Sequence, residues 1–295
     1  MRPKKTTKSA KMLQYGATLH VSQYRLAAYR KKLKALVKKM RESVEQKVMG
    51  LLRGSTYKEY KEYNKKLTTM DASIGSESKI MLNKLKQKFV SFFSTRAKRL
   101  AGEMVNGVLK DNRVILNNSL REMADPKERA IELRSPLLPK YTSKNVKEQV
   151  KILINENIAL IKDIPEKYMN QVSGDLYRNL TAEVDLQKMK DDLVKRGGMT
   201  ERRAKNIAED QTRKASNVIN AERMKAVGIK YFEWSHSGGG QNPRKLHMEM
   251  DGKIYSFDDL PIIDENTGER GIPGQLPNCR CTMIPVHDFQ MEERK

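Results

Sequence analysis

From Tyr24 onward, apolar residues recur in helical period. Leu26, Tyr29, Leu33, Leu36, Val37, Met40, Val44, Val48 and Leu51 return at steps of three and four residues, the spacing that lines one face of an α-helix. Gly54 is a fitting stop for it. A second helical pattern runs through Tyr57, Tyr60, Tyr63, Leu67 and Met70. A third runs through Met81, Leu85, Phe89, Phe92 and Phe93, and Val105, Val108, Val114, Ile115, Leu116 and Leu120 continue it. Ser135-Pro136-Leu137-Leu138-Pro139 then interrupts the period, and two prolines in five residues predict a linker at a domain boundary.

Beyond the prolines the period resumes over Asn145 to Ile161, through Val146, Val150, Ile152, Leu153, Ile158, Leu160 and Ile161. Pro165 in Lys162-Asp163-Ile164-Pro165 predicts a break or kink. A further helical stretch leads to Asp191, Asp192, Leu193 and Val194 and is expected to stop at Gly197-Gly198. Thr200 is the expected N-cap of the next helix, which carries Ala204, Ile207, Ala208, Ala215, Val218 and Ile219 and ends at Gly228. Ile229, Tyr231 and Glu233 then alternate with Lys230, Phe232 and Trp234, the period of a strand. The remainder reads as glycine-rich loops with short strands at Lys253–Phe257 and Cys281–Val286. The predicted fold class is mainly α with a small α+β C-terminal part: long basic amphipathic helices, then a helical domain ending in short strands and loops. The expected division is a basic mobile arm over 1–20, a basic helical region over 21–135 and a C-terminal domain over 145–287.

Composition narrows the picture. Hydrophobic residues are 38% of the 295 and charged residues 32%, so the core is expected to be small for the length. No run approaches the roughly 18 apolar residues of a membrane span, and no apolar segment follows the basic N-terminus to make a secretory signal. A disulfide between Cys279 and Cys281 would be strained, which fits a reducing compartment.

The net charge of +22 is concentrated at one end: residues 1–100 carry 26 Lys and Arg against 6 Asp and Glu. Opposite the apolar stripes lie Arg30, Lys31, Lys32, Lys34, Lys38 and Lys39, and then Lys84, Lys86, Lys88, Arg96, Lys98 and Arg99. Such faces suit a polyanion, because each neutralised phosphate releases counterions and adds affinity. DNA, bound without sequence preference, is the expected partner; a membrane surface, an acidic protein or a plain solvated helix face are the alternatives.

The last sixty residues hold the soft and borderline ligand types. Both cysteines, Cys279 and Cys281, lie there with His236, His247 and His287, beside Trp234, the sole tryptophan. His247, Cys279 and Cys281 supply three zinc ligands, with His236, Asp251 or His287 available as a fourth. Zinc is the one cofactor the pattern suggests. The competing reading is structural, with His247 hydrogen-bonded locally and the cysteines packed as small hydrophobes. A Cys–His nucleophile and a metal-assisted hydrolase are further alternatives. No phosphate-binding or dinucleotide fingerprint is present, and the chain does not read as an enzyme.

The order of several fragments resembles a known family. They are Asn157-Ile158-Ala159-Leu160-Ile161-Lys162-Asp163-Ile164-Pro165, then Arg203-Ala204-Lys205-Asn206-Ile207-Ala208-Glu209-Asp210-Gln211 with Lys214. Gly228-Ile229, the strand ending at Trp234, Arg244 with His247, and Asp251-Gly252 follow. Pro273-Gly274 and Asn278-Cys279-Arg280-Cys281 complete the pattern. Across roughly 145–287 the chain resembles the phage Mu F-like minor head proteins, or phage head morphogenesis proteins. It departs from their pattern in Ser237-Gly238-Gly239-Gly240-Gln241-Asn242-Pro243. The resemblance implies a structural minor head protein of the virion, made in the host cytoplasm and placed inside the head or at the portal vertex. Its implied partners are the portal protein, the DNA, and the major capsid or scaffold proteins. A metal-dependent nuclease using the His247/Cys279/Cys281 region, or a DNA-compacting scaffold without portal contact, are the rival functions.

Overall fold

The spacing between Leu26 and Leu51 is realised as helix α1 (Gln23–Arg53), which ends one residue before Gly54. A computed structural model describes residues 13–54, 74–123, 143–182, 185–239 and 242–288. The helical pattern of Tyr57 to Met70, the linker at 135–139 and residues 1–12 of the expected arm lie outside these. The third apolar pattern and its continuation form one helix of 50 residues, α2 (Ile74–Met123). Helices α3 (Lys144–Thr181) and α4 (Leu186–Ala226) follow. Among the described residues the protein is mainly helical, with every strand but the first lying between Tyr231 and Asp288.

Two expected helix boundaries are absent. Helix α3 runs through Pro165 without stopping. Proline removes one backbone bond and costs a helix interior about 3 kcal/mol. Ile161, Ile164 and Tyr168 bracket it and are buried, and this apolar face offsets the penalty. Helix α4 likewise passes through Gly197-Gly198. Thr200 is therefore not an N-cap: its hydroxyl donates to the carbonyl of Arg196, one turn back inside the same helix, at 2.8 Å.

The strands are short. Strand β1 (Leu13–Tyr15) is followed after the four helices by β2 (Tyr231–Ser235), the five-residue helix α5 (Lys245–Glu249), and β3 (Ile254–Ser256). Strands β4 (Ile262–Asp264), β5 (Glu269–Arg270) and β6 (Thr282–Asp288) complete the chain. A four-stranded sheet has the order β1-β6-β2-β3, with each pair antiparallel, and β4 pairs with β5. Residues 13–20 are thus not an arm. Leu13 to Tyr15 pair with Asp288 to Val286, and Leu19 is fully buried with its N–H on the carbonyl of Met283.

The compact units are not successive along the chain. Of the described residues, one comprises 13–26, 103–123, 143–154, 209–239 and 242–288; the other comprises 27–54, 74–102, 155–182 and 185–208. Neither corresponds to the expected 21–135 or 145–287 segments. The first unit contains the sheet and a core of Leu19, Leu116, Leu120, Met224, Phe232, Trp234, Met250 and Met283, into which both cysteines pack. The second is held by the buried faces of its helices and by polar pairs. Tyr29 donates to Asn157 at 3.0 Å, Arg41 pairs with Glu201 at 2.9 Å, and Arg196 grips Asp175 with two bonds at 2.7 and 3.0 Å. Among the described residues no helix is long and apolar enough to cross a membrane.

Candidate functional site

Alternation along β2 turns Phe232 and Trp234 inward and leaves Tyr231, Glu233 and Ser235 partly exposed. Trp234 forms the wall against which the chemistry collects. Its ring meets His247 edge to face, with centroids 5.0 Å apart. His247 comes from α5 and Cys279 and Cys281 from the loop that leads into β6, and all three are buried. One donor atom from each falls within 4.8 Å of the others.

The histidine is oriented from behind. Its Nε2 lies 3.0 Å from the carbonyl oxygen of Ile263 in β4. A carbonyl only accepts, so Nε2 carries the proton and Nδ1 presents a lone pair. That lone pair faces the cysteines, at 3.5 Å from the sulfur of Cys279 and 3.8 Å from that of Cys281. The two thiols titrate in opposite directions. Donation from Cys281 is the chief influence holding Cys279 low; the backbone N–H groups of Cys281 and Gly274 add to it against the cost of burial. The same donation, followed by burial, pushes Cys281 up. The Trp234 indole N–H is buried without a hydrogen-bond partner.

The cysteine loop is tied to α4 at two points. The N–H of Asn278 donates to Asp210 at 2.9 Å, and the side chain of Asn217 donates to the carbonyl of Cys281 at 3.2 Å. Asp210 and Asn217 are seven residues apart, two helical turns, and so lie on one face of the helix. Burial holds the Asp210 carboxyl above its usual range, partly opposed by the Asn278 N–H. The loop also needs a glycine: Gly274 has φ +76, and a Cβ there would stand 2.3 Å from Asn217 Nδ2.

Residues 170–284 match the family model of Phage Mu protein F like protein. The resemblance read from the sequence therefore holds over this Mu F-like segment, which contains α4, β2, α5 and all three converging side chains. An uncharacterized protein of Haemophilus influenzae (strain KW20 / Rd) is 29% identical over 272 residues, which cover 88% of this chain. The aligned region is 53% of that relative's length, so the chain spans about half of it. No solved structure matches.

Within the Mu F-like segment, His236 does not join the other three. Strand β2 ends at Ser235, and the chain turns at once: the N–H of His236 donates to Asp251 at 2.7 Å, and its Nδ1 accepts from the N–H of Gly238 at 3.2 Å. A tight local turn thus occupies the ring that was expected as a fourth ligand. Asp251 holds that turn, and His287 sits opposite Gln14 in the sheet. Asn217 carried no signal in the sequence. A buried polar residue in a helical stripe shows neither the apolar period nor a motif spacing.

The twelve basic residues all belong to the second compact unit, within 27–102. Several have partners there. Lys34 pairs with Glu201 at 3.7 Å, Lys38 with Glu42 at 3.8 Å, and Lys86 donates to Asn170 at 2.9 Å. Two others share the Phe92 ring, and Lys88 lies over Phe89 at 5.2 Å. Arg96 stacks on Phe92 at 3.8 Å, Lys39 from α1 lies 5.2 Å from the same ring, and Lys88 reaches Ser43 at 3.5 Å. Lys31, Lys32, Lys84, Lys98 and Arg99 are exposed, and Arg30 is half-buried.

Proposed function

We propose that this chain is a minor head protein acting in phage head morphogenesis, attached at the portal vertex and touching DNA through its basic helices. The observation that carries this reading is the Mu F-like match over residues 170–284, the stretch that holds the buried His247/Cys279/Cys281 cluster. The charge supports the DNA contact. Most of the +22 falls in the first hundred residues, and α1 and α2 bring Lys39 and Arg96 together on Phe92, with Lys88 of α2 reaching Ser43 of α1. Such contacts meet phosphates without reading bases. The burial of His247, Cys279 and Cys281 suits a role inside the protein better than an exposed nucleophile.

Quantitative protein inventory of purified full particles and of DNA-free heads tests the placement. A few copies per particle in both support attachment at the portal or shell; absence from both overturns the reading. DNA contact is tested separately, by measuring affinity for duplex DNA against salt. Reversing Lys39, Lys88 and Arg96 to glutamate is expected to flatten the salt slope by about 2 to 3, from roughly 0.9 per phosphate contact. An unchanged slope would remove these three residues from the interface.

A further inference from the structure

We propose that His247, Cys279 and Cys281 hold a divalent cation of the zinc class, which pins helix α5 and the cysteine loop together inside the core of their compact unit. The donor set is two thiolates and an imidazole, the combination that zinc selects over magnesium or calcium. The geometry fits the ion. Bonds of about 2.3 Å to sulfur and 2.0–2.1 Å to nitrogen at tetrahedral angles place nitrogen and sulfur about 3.5 Å apart. The two separations here are 3.5 and 3.8 Å. The backbone already holds the three donor atoms near the corners of one coordination shell.

The surroundings match as well. A metal-bound histidine normally gives its other ring nitrogen to a carbonyl or carboxylate, which fixes the tautomer. The carbonyl of Ile263 does this for His247. The Trp234 ring packs edge to face on His247, and its indole N–H is buried without a hydrogen-bond partner. Among the described residues no fourth His, Cys, Asp or Glu joins the three.

The test is metal content and a cobalt spectrum on the full-length chain. Purified without chelators from zinc-supplied cells, the protein should carry about one zinc per chain. After stripping under reducing conditions, Co²⁺ should restore the thiolate-to-cobalt charge-transfer band and the intense visible bands of a tetrahedral site. Cys279→Ser is expected to halve the charge-transfer intensity, the Cys279→Ser/Cys281→Ser pair to abolish it, and His236→Ala to leave it unchanged. Circular dichroism of the helices shows whether each variant is folded. If a variant unfolds, the wild-type cobalt spectrum still decides. Folded wild type that holds no zinc and gives no thiolate-to-cobalt band overturns the proposal, as does a band that survives in the folded double variant.

Discussion

Gly197 and Gly198 are neighbours in α4 with opposite surroundings. A Cβ on Gly197 would stand 2.2 Å from Cδ and 3.0 Å from Cγ of Arg41, whereas one on Gly198 would meet nothing within 4 Å. Arg41 cannot withdraw without disturbing its 2.9 Å ion pair with Glu201. Alanine is the better helix former by about 1 kcal/mol. Gly198→Ala should therefore stabilise the protein by about 0.5–1 kcal/mol. Gly197→Ala should destabilise it by about 1–2 kcal/mol, because overpacking outweighs propensity. Urea midpoints of the two variants check this; shifts of the same sign and size would show that the Arg41 contact does not matter. The sequence presents these glycines as an identical pair, and they read as a stop because the side chain that needs the space lies 156 positions earlier. Ligand chemistry was easier to see. His247, Cys279 and Cys281 stand out by residue type, but only the turn after Ser235 shows that His236 is committed elsewhere.

Periodicity located the helices because each buries one continuous stripe, as Leu33, Val37, Met40 and Val44 do in α1. The strand from Tyr231 to Ser235 was legible for the same reason, with Phe232 and Trp234 alternating inward. Helix ends were harder to place, since burial of the flanking turns can outweigh a local breaker. Leu13–Tyr15 is three residues long and carries no alternation to read; its place depends on β6. Pro165 makes the energetics testable. With Ile161, Ile164 and Tyr168 buried around it, α3 forms despite the missing N–H, so proline supplies no stability there. Pro165→Ala should restore the bond to Ile161 and raise stability by about 1–3 kcal/mol, read as a higher melting temperature. A lower melting temperature would mean that Pro165 fixes a bend the surrounding core requires.

The interleaving of the two compact units governs how the protein can be dissected. The core around Trp234 draws Met224, Phe232, Met250 and Met283 from the C-terminal half, but also Leu19, Leu116, Leu120 and Met123. Polar ties run the same way. Ser119 donates to the carbonyl of Ala17 at 2.7 Å, Asn112 to that of Ser216 at 2.7 Å, and Thr282 to that of Leu19. A fragment of residues 145–287 matches the family resemblance and looks like a domain in sequence, yet it lacks these partners. Burying one leucine or methionine contributes about 1.5–3 kcal/mol. Losing four such residues therefore removes on the order of 6–12 kcal/mol, comparable with the about 5–15 kcal/mol that holds a typical protein folded. The fragment should fail to fold. Trp234, the sole tryptophan and fully buried, reports this directly. In the full chain its near-ultraviolet dichroism should be sharp and lost cooperatively in urea; in the fragment it should be weak from the start, with solvent-exposed emission. A fragment that kept the native Trp234 signal would show that residues 13–26 and 103–123 are dispensable to this core. If they are needed, deleting the basic first hundred residues also destroys the fold, and the role of charge in binding DNA must be measured by substitution in the intact chain.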